Sequence, residues 1–145
     1  ATTLMVTLGE FDIDSITEAR RELEKLCLKL AIKRRTDIHL QQLAEELSLQ
    51  QQIISDEQFC ASDIRFHRIL VDATANPVLK FTMVGVIEAL QPLMNMIANR
   101  SRDRKVIISY HQQLLQAMTE QDLHKAELSL DQLLDYLQQQ YQAVR

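Results

Sequence analysis

Three side chains of types that often bind metals fall on apolar helix faces, where polar residues are unusual. Asp63 and His67 stand four residues apart. At 100° per residue both lie within or beside the apolar face that Phe59, Phe66 and Leu70 form. Side chains four apart in a helix point into the same space. Because a buried carboxylate without a partner is costly, this aspartate needs a partner.

His111 is the third such side chain, in a later helical segment. It lies at the centre of the apolar face that Ile107, Leu114 and Met118 form. Two imidazoles and one carboxylate on facing helices suit a first-row divalent metal ion. The same pattern is typical of a hydrogen-bonded Asp–His core pair beside a separate buried histidine. Spacing alone leaves both interpretations open.

Arg20 is a charged residue on the apolar face of the first helical segment, between Ile16 and Cys27. It is therefore expected to turn inward, towards the same interior as the other three polar residues. His39 and His124 fall away from the apolar faces of their own segments. We expect both of these histidines at the surface.

The spacing of apolar residues predicts an all-α fold. The chain has only 2 Gly and 2 Pro in 145 residues, which argues against turn-rich sandwiches and barrels. Helical periodicity predicts an antiparallel bundle of six helices, with seven as the alternative count. The predicted segments are about 15–34, 37–52, 56–74, 78–99, 104–119 and 123–141. The fourth is apolar almost all round, so it is either central in the bundle or shared with a partner subunit.

Charge and composition narrow the function classes. A net charge of −4 argues against direct binding of this chain to the phosphate backbone of a nucleic acid. The one basic cluster, residues 100–105, is interrupted by Asp103 and is expected to be a solvated loop. No apolar run is long enough for a membrane span, and no signal peptide is recognisable. Cys27 and Cys60 are isolated cysteines, which predicts core packing in a reducing cytoplasm.

The sequence also carries no motif that predicts an enzyme. It lacks the paired Glu-x-x-His motifs of di-iron bundles, a glycine-rich phosphate loop and an HExxH motif. We therefore predict that the chain is not an enzyme. A metal-dependent hydrolase is a further alternative, but no general base for it can be named.

Several stretches resemble the FCD domain, the C-terminal effector-binding domain of FadR-subfamily regulators among GntR-type bacterial transcription factors. The resemblance covers about residues 13–141 and implies a helical sensor that forms homodimers. It also implies a winged-helix domain before residue 13, through which operator DNA would bind. That domain is absent from this sequence, so residues 1–12 are expected to be its linker and 13–145 the sensor domain. The matching stretches are 18–24, Asp63-Ile64-Arg65-Phe66-His67, 73–79 with Asn76-Pro77, 111–117 and 122–137.

The resemblance further implies a metal site made by one aspartate and three histidines, commonly with Zn or Ni. Asp63, His67 and His111 match the first three ligands. The fourth ligand is expected about 22 residues after His111, and that position is Leu133. Leucine has no ligating atom, so water or an effector carboxylate would have to complete a three-ligand site.

Small carboxylates are frequent effectors in the family. Arg20 matches an arginine of the family's first helix, which implies a charge-assisted bond to the effector's carboxylate. Asn76 is predicted as a second effector-binding residue. The resulting hypothesis is a ligand-responsive regulator domain in which effector binding repacks the bundle and re-orients the DNA-binding domains. The alternative is a structural dimerisation module with a decayed metal site.

Overall fold

The computed structural model describes residues 13–52, 55–98 and 101–144, and within these ranges it contains six helices and no strand. The predicted all-α class is confirmed, with six helices rather than seven in the described chain. The predicted linker, residues 1–12, lies outside the described residues. The helices are α1 (Ile13–Arg34), α2 (Asp37–Gln52), α3 (Asp56–Asp72), α4 (Pro77–Ala98), α5 (Ser101–Glu120) and α6 (Leu123–Val144).

The Asn-Pro pair starts α4, as its sequence predicts. The side-chain oxygen of Asn76 accepts hydrogen bonds from the backbone amides of Val78 and Leu79, at 3.0 and 3.2 Å. Pro77 follows at the first helical position, where its missing N–H costs nothing. Ala75, the residue before Asn76, has a φ of 53°. This left-handed residue lets the chain reverse sharply between α3 and α4.

The main core lies between α1, α2, α3, α5 and α6. Helices α2 and α3, α3 and α4, and α5 and α6 pack against each other, and α1 packs along α6. Phe59, Leu43 and Leu114 are fully buried in this core. Leu133, a residue of α6, is also fully buried there.

Helix α4 divides its apolar residues between the bundle and its surface. Met83 and Ile87 pack against Cys27 of α1 in a small second core. Val78 and Phe81, in contrast, are 73% and 75% exposed. No helix in the described ranges is sufficiently long and apolar to cross a membrane.

The expected loop at the basic cluster is wrong for most of its length. Helix α5 begins at Ser101, so residues 101–105 form its first turns, and Arg100 lies outside the described residues. Apolar spacing detects a helix only where one face is buried. The charged start of α5 carries no such signal, and the prediction therefore began the helix three residues late.

Candidate metal centre

Asp63, His67 and His111 come together inside the bundle. The first two lie one turn apart on α3, and the third lies on α5. Their exposed fractions are 4%, 2% and 0%. One ligand atom from each residue lies within 4.8 Å of the other two. The structure thus places the three residues in one buried cluster, as their spacing suggested.

The separations from Asp63 to the two histidines match neighbouring ligand atoms of a metal coordination shell. Nε2 of His111 lies 3.2 Å from Oδ1 of Asp63, and Nε2 of His67 lies 3.6 Å from the same oxygen. Zinc bonds of about 2.0–2.1 Å at tetrahedral angles separate neighbouring ligand atoms by about 3.3 Å. The distances of 3.2 and 3.6 Å lie on either side of this value.

His111 faces Asp63 with a lone pair. Its Nδ1 lies 3.0 Å from Oε1 of Gln50, a buried residue of α2. An amide oxygen only accepts, so with this orientation of the Gln50 amide Nδ1 carries the proton and donates it. Burial, the largest influence, lowers the pKa of His111 and keeps the ring neutral. Its Nε2 therefore bears a lone pair that points at Oδ1 of Asp63.

The buried atoms at this contact lack other partners in the described chain. Oδ1 of Asp63 and Nε2 of His111 have no hydrogen bond of good geometry. Two acceptor atoms that face each other inside a protein are costly to leave unpaired. A divalent cation between them would satisfy both, so the residues present fit a metal ion.

Aromatic packing holds the His111 ring in place. The ring of Phe66 stacks on it with centroids 4.2 Å apart and an angle of 17° between the planes. His67 meets the His111 ring edge-on, with centroids 5.6 Å apart. The Phe66 ring thus excludes water from one face of His111, and charges interact more strongly where water is excluded.

His67 contacts a second carboxylate on its other side. Nδ1 of His67 lies 3.0 Å from Oε1 of Glu24, although the N–H bond is not aimed well enough for a good hydrogen bond. Burial would lower the pKa of His67. The carboxylates of Glu24 and Asp63 outweigh burial and raise that pKa to about 9. Without a metal, this histidine is a cation at neutral pH.

The carboxyl groups remain ionised although they are buried. Burial would raise the pKa of Asp63, but His67 and His111 hold it well below its usual range. Burial would likewise raise the pKa of Glu24. Arg20 and His67 outweigh it and lower that pKa to about 2. The buried cations and anions therefore balance each other.

Arg20 turns inward and joins this network through Glu24. It is 3% exposed, and its Nε lies 3.1 Å from Oε2 of Glu24, four residues further along α1. The same glutamate reaches His67 with its other oxygen. Arg20 is thus linked to the cluster by one intervening carboxylate.

Two other positions singled out in the sequence, Asn76 and Leu133, are not members of this hydrogen-bonded and ion-paired network. Asn76 is at the turn between α3 and α4, where its oxygen caps α4, and its role with an effector stays a prediction. Leu133 contributes only apolar contacts to the core.

Both cysteines are free and buried. Burial raises the pKa of each thiol to about 11, and a nearby carboxylate adds to the effect. This carboxylate is Glu24 for Cys27 and Asp63 for Cys60.

Sequence analysis missed Glu24 and Gln50. Glu24 lies one turn after Arg20, so the two share a helix face, and this spacing was an available signal. Gln50 follows Leu43 and Leu47 on the buried face of α2. A polar residue at the end of such a face is ordinary in a helix. Only the packing of α2 against α5 reveals its partner, His111.

Two cavities beside the network, among the residues that the structure describes, are small. One of about 20 Å³ is lined by residues that include Glu24, Cys27 and His67. Another of about 10 Å³ is lined by residues that include Arg20 and Leu137. Each has room for roughly one water molecule. Neither of these two cavities could hold a ligand larger than water unless the helices moved apart.

Fold and buried network together define an all-helical domain with a polar centre. The FCD domain model matches residues 15–136. The chain therefore belongs to the FCD domain family, the regulatory domain of GntR-family transcription regulators.

Curated relatives named as HTH-type transcriptional regulators extend beyond the matched region. The chain is 25% identical over 134 residues to the uncharacterized HTH-type transcriptional regulator YcbG of Bacillus subtilis, covering 92% of this chain and 56% of YcbG. It is 25% identical over 130 residues to the HTH-type transcriptional repressor NanR of Cronobacter sakazakii, covering 88% and 50%. The chain thus spans about half the length of the curated relatives it matches.

Solved structures show the same fold. McbR/YncC of E. coli superposes with a TM-score of 0.78 and 21% identity, over 90% of this chain and 68% of that chain. A structure of Lar, described as controlling expression of the Listeria monocytogenes agr system, gives a TM-score of 0.77 and 14% identity, over 93% and 66%. At these identities the likeness concerns the fold alone.

Proposed function

We propose that this chain is the sensory and dimerising domain of a cytoplasmic DNA-binding regulator, and that it senses a small carboxylate through a bound divalent metal. The observation that carries the proposal is the buried cluster of Asp63, His67 and His111, whose ligand atoms lie within 4.8 Å of one another. One carboxylate and two imidazoles form a donor set suited to Zn or Ni.

Each residue of the cluster has a defined part in this proposal. Asp63 supplies an oxygen ligand, while His67 and His111 each supply Nε2. When bound, the ion supplies positive charge and a coordination position that an effector carboxylate can occupy. Because Leu133 stands where the family's fourth ligand is expected, that position is not filled by α6.

Arg20 is proposed to bind the effector's carboxylate from the α1 side. Its Nε lies 3.1 Å from the carboxylate of Glu24. Because a guanidinium has five N–H donors, the same arginine can bind a second carboxylate. The adjacent cavities hold about one water molecule. Effector binding therefore favours a more open arrangement of the helices, and this shift in population is the signal.

The remaining parts of the proposal concern the whole regulator. Its DNA-binding domain would contact operator DNA, and this acidic domain would not. Two copies would associate through the exposed apolar face of α4, which carries Val78 and Phe81. A change in the arrangement of the two sensory domains would then re-orient the two DNA-binding domains and change their affinity for operator DNA.

A thermal melt tests the sensing site directly. The metal-free chain is melted alone, with Zn²⁺, and with Zn²⁺ plus each member of a panel of short mono- and dicarboxylates. Ligands that bind only the folded state raise the melting temperature. We expect Zn²⁺ to raise it for the wild-type chain, and at least one carboxylate to raise it further only when Zn²⁺ is present.

Matched variants identify the site in the same assay. His67→Ala and His111→Ala should lose the response to Zn²⁺, whereas His124→Ala removes an exposed histidine and should keep it. A wild-type chain that responds to neither Zn²⁺ nor any carboxylate would contradict sensing. That result would favour the alternative function, a structural dimerisation module. The fully buried Leu133 supports this alternative, because leucine cannot bind a metal at the position of the family's fourth ligand.

A further inference from the structure

The two histidines of the cluster each have a buried polar neighbour behind them. Glu24 of α1 lies 3.0 Å from Nδ1 of His67. Gln50 of α2 lies 3.0 Å from Nδ1 of His111. Both neighbours are nearly inaccessible to solvent, with 7% and 2% of their surfaces exposed. In both histidines Nε2 is the nitrogen nearer to Asp63.

This arrangement decides where each ring carries its proton. A neutral imidazole has one N–H and one lone pair. If the lone pair of His67 were on Nδ1, it would face the carboxylate of Glu24 at 3.0 Å and be repelled. The same holds for Nδ1 of His111 and the amide oxygen of Gln50. The proton therefore sits on Nδ1 in both rings, and the lone pair of each neutral ring is on Nε2.

We propose that Glu24 and Gln50 are the positioning residues of the metal centre, holding His67 and His111 with both Nε2 atoms turned towards Asp63 and available to an ion. This inference rests on the proposed metal site. Histidine ligands ordinarily donate their second N–H to a carboxylate or carbonyl, which fixes the ring and makes the ligating nitrogen more basic.

Glu24 acts from outside the cluster rather than as a ligand. It is not among the residues whose ligand atoms lie within 4.8 Å of one another, and it contacts the Nδ1 side of His67. Its second oxygen lies 3.1 Å from Nε of Arg20. The carboxylate thus lies between Arg20 and the Nδ1 side of His67, and its orientation towards His67 is maintained by Arg20.

Metal affinity measures this role. Zn²⁺ affinity is determined by competition with a chelator for the wild-type chain, Glu24→Gln and Gln50→Ala. Loss of such an outer contact typically weakens metal binding by about 10–100-fold, and we expect a loss of this size in each variant. Glu22→Gln and Gln51→Ala are matched controls, because they change the same residue types at exposed positions of α1 and α2. They should keep the wild-type affinity.

Nitrogen NMR of the wild-type chain gives a second readout that needs no variant to fold. With Zn²⁺ bound, the rings of His67 and His111 should each show a protonated Nδ1 and a metal-bound Nε2. Metal on Nδ1 of either ring would overturn the role of the neighbour behind that ring. Wild-type affinity in Glu24→Gln or Gln50→Ala would overturn the role of the residue changed.

The outcomes also separate this inference from the proposed function. If His67→Ala and His111→Ala lose Zn²⁺ while Glu24→Gln and Gln50→Ala retain full affinity, the metal site stands and the positioning role fails. If the wild-type chain binds no Zn²⁺, both fail together. Circular dichroism of each variant shows whether the helices remain, so a loss of affinity through unfolding is recognised.

Discussion

At the scale of single residues, one chain of charged and polar side chains crosses the interior of the domain. It runs from Arg20 through Glu24 to His67, and from there across Asp63 to His111. Buried charges are tolerated only when they are paired. The pairing here sets the protonation of every member, so the stability of the metal-free domain should depend on pH in a defined way.

Stability of the metal-free chain should peak near pH 6.5. The pKa of His67 is raised from 6.5 to about 9, so its contribution is fully present below pH 6.5 and is lost as the pH rises through about 9. The pKa of His111 is lowered from 6.5, so stability declines as the pH falls below 6.5. Glu24, with its pKa lowered from 4.5 to about 2, adds a further loss below pH 4.5.

Urea unfolding in the presence of a chelator, from pH 5 to 9, measures this profile. We expect the free energy of unfolding to fall by roughly 2–3 kcal/mol between pH 6.5 and 9. His67→Asn removes the responsible proton site, and the decline over this range should disappear even though the variant is less stable. A wild-type chain with equal stability at pH 6.5 and 9 would contradict the charged state assigned to His67.

The sequence was sufficient to predict those residues of the network whose inward orientation follows from the apolar face of their own helix. Asp63, His67, His111 and Arg20 stand on apolar faces, and apolar faces turn inward in a bundle. The partners Glu24 and Gln50 were missed because a contact between helices depends on how those helices are rotated and spaced. Periodicity within one segment does not contain that information.

At the scale of elements, the helices largely begin and end where local signals predict. Asn76-Pro77 starts α4, and α2 has the predicted bounds, Asp37–Gln52. The start of α5 was placed too late because its first turns are charged. The division of α4 into a buried face and an exposed apolar face was not predicted, because α4 is apolar almost all round.

The exposed apolar face of α4 should control self-association. Phe81 is 75% exposed in the single chain, so Phe81→Asp removes little from the bundle's own packing. Burial of such a side chain between two copies contributes about 1.5–3 kcal/mol. We therefore expect Phe81→Asp to weaken the dimer at least tenfold, as measured by sedimentation, with an unchanged helix content.

Leu128→Asp is the matched control, since Leu128 is also exposed, at 51%, but lies on α6. It should leave the association constant unchanged. A dimer that resists Phe81→Asp and dissociates with Leu128→Asp would move the interface from α4 to α6. A wild-type chain that is monomeric at all concentrations would contradict homodimer formation by this domain.

At the scale of the whole molecule, the polar network couples helices that would carry a signal. Its members lie on α1, α2, α3 and α5, so an ion or effector at its centre touches most of the bundle. The two described cavities beside the network are too small for a ligand larger than water. Binding of a larger ligand in either of them requires relative movement of helices, and such movement is how a buried site can affect a distant domain.

The most direct test of a metal-dependent sensor is elemental analysis of the purified, untagged chain. We predict close to one Zn or Ni per chain, retained in His124→Ala and lost in both His67→Ala and His111→Ala. If the wild-type chain carries no metal even after reconstitution with Zn²⁺ and Ni²⁺, the central claim is contradicted. The network would then be a metal-free ion-pair core, and Leu133 would mark a lost site.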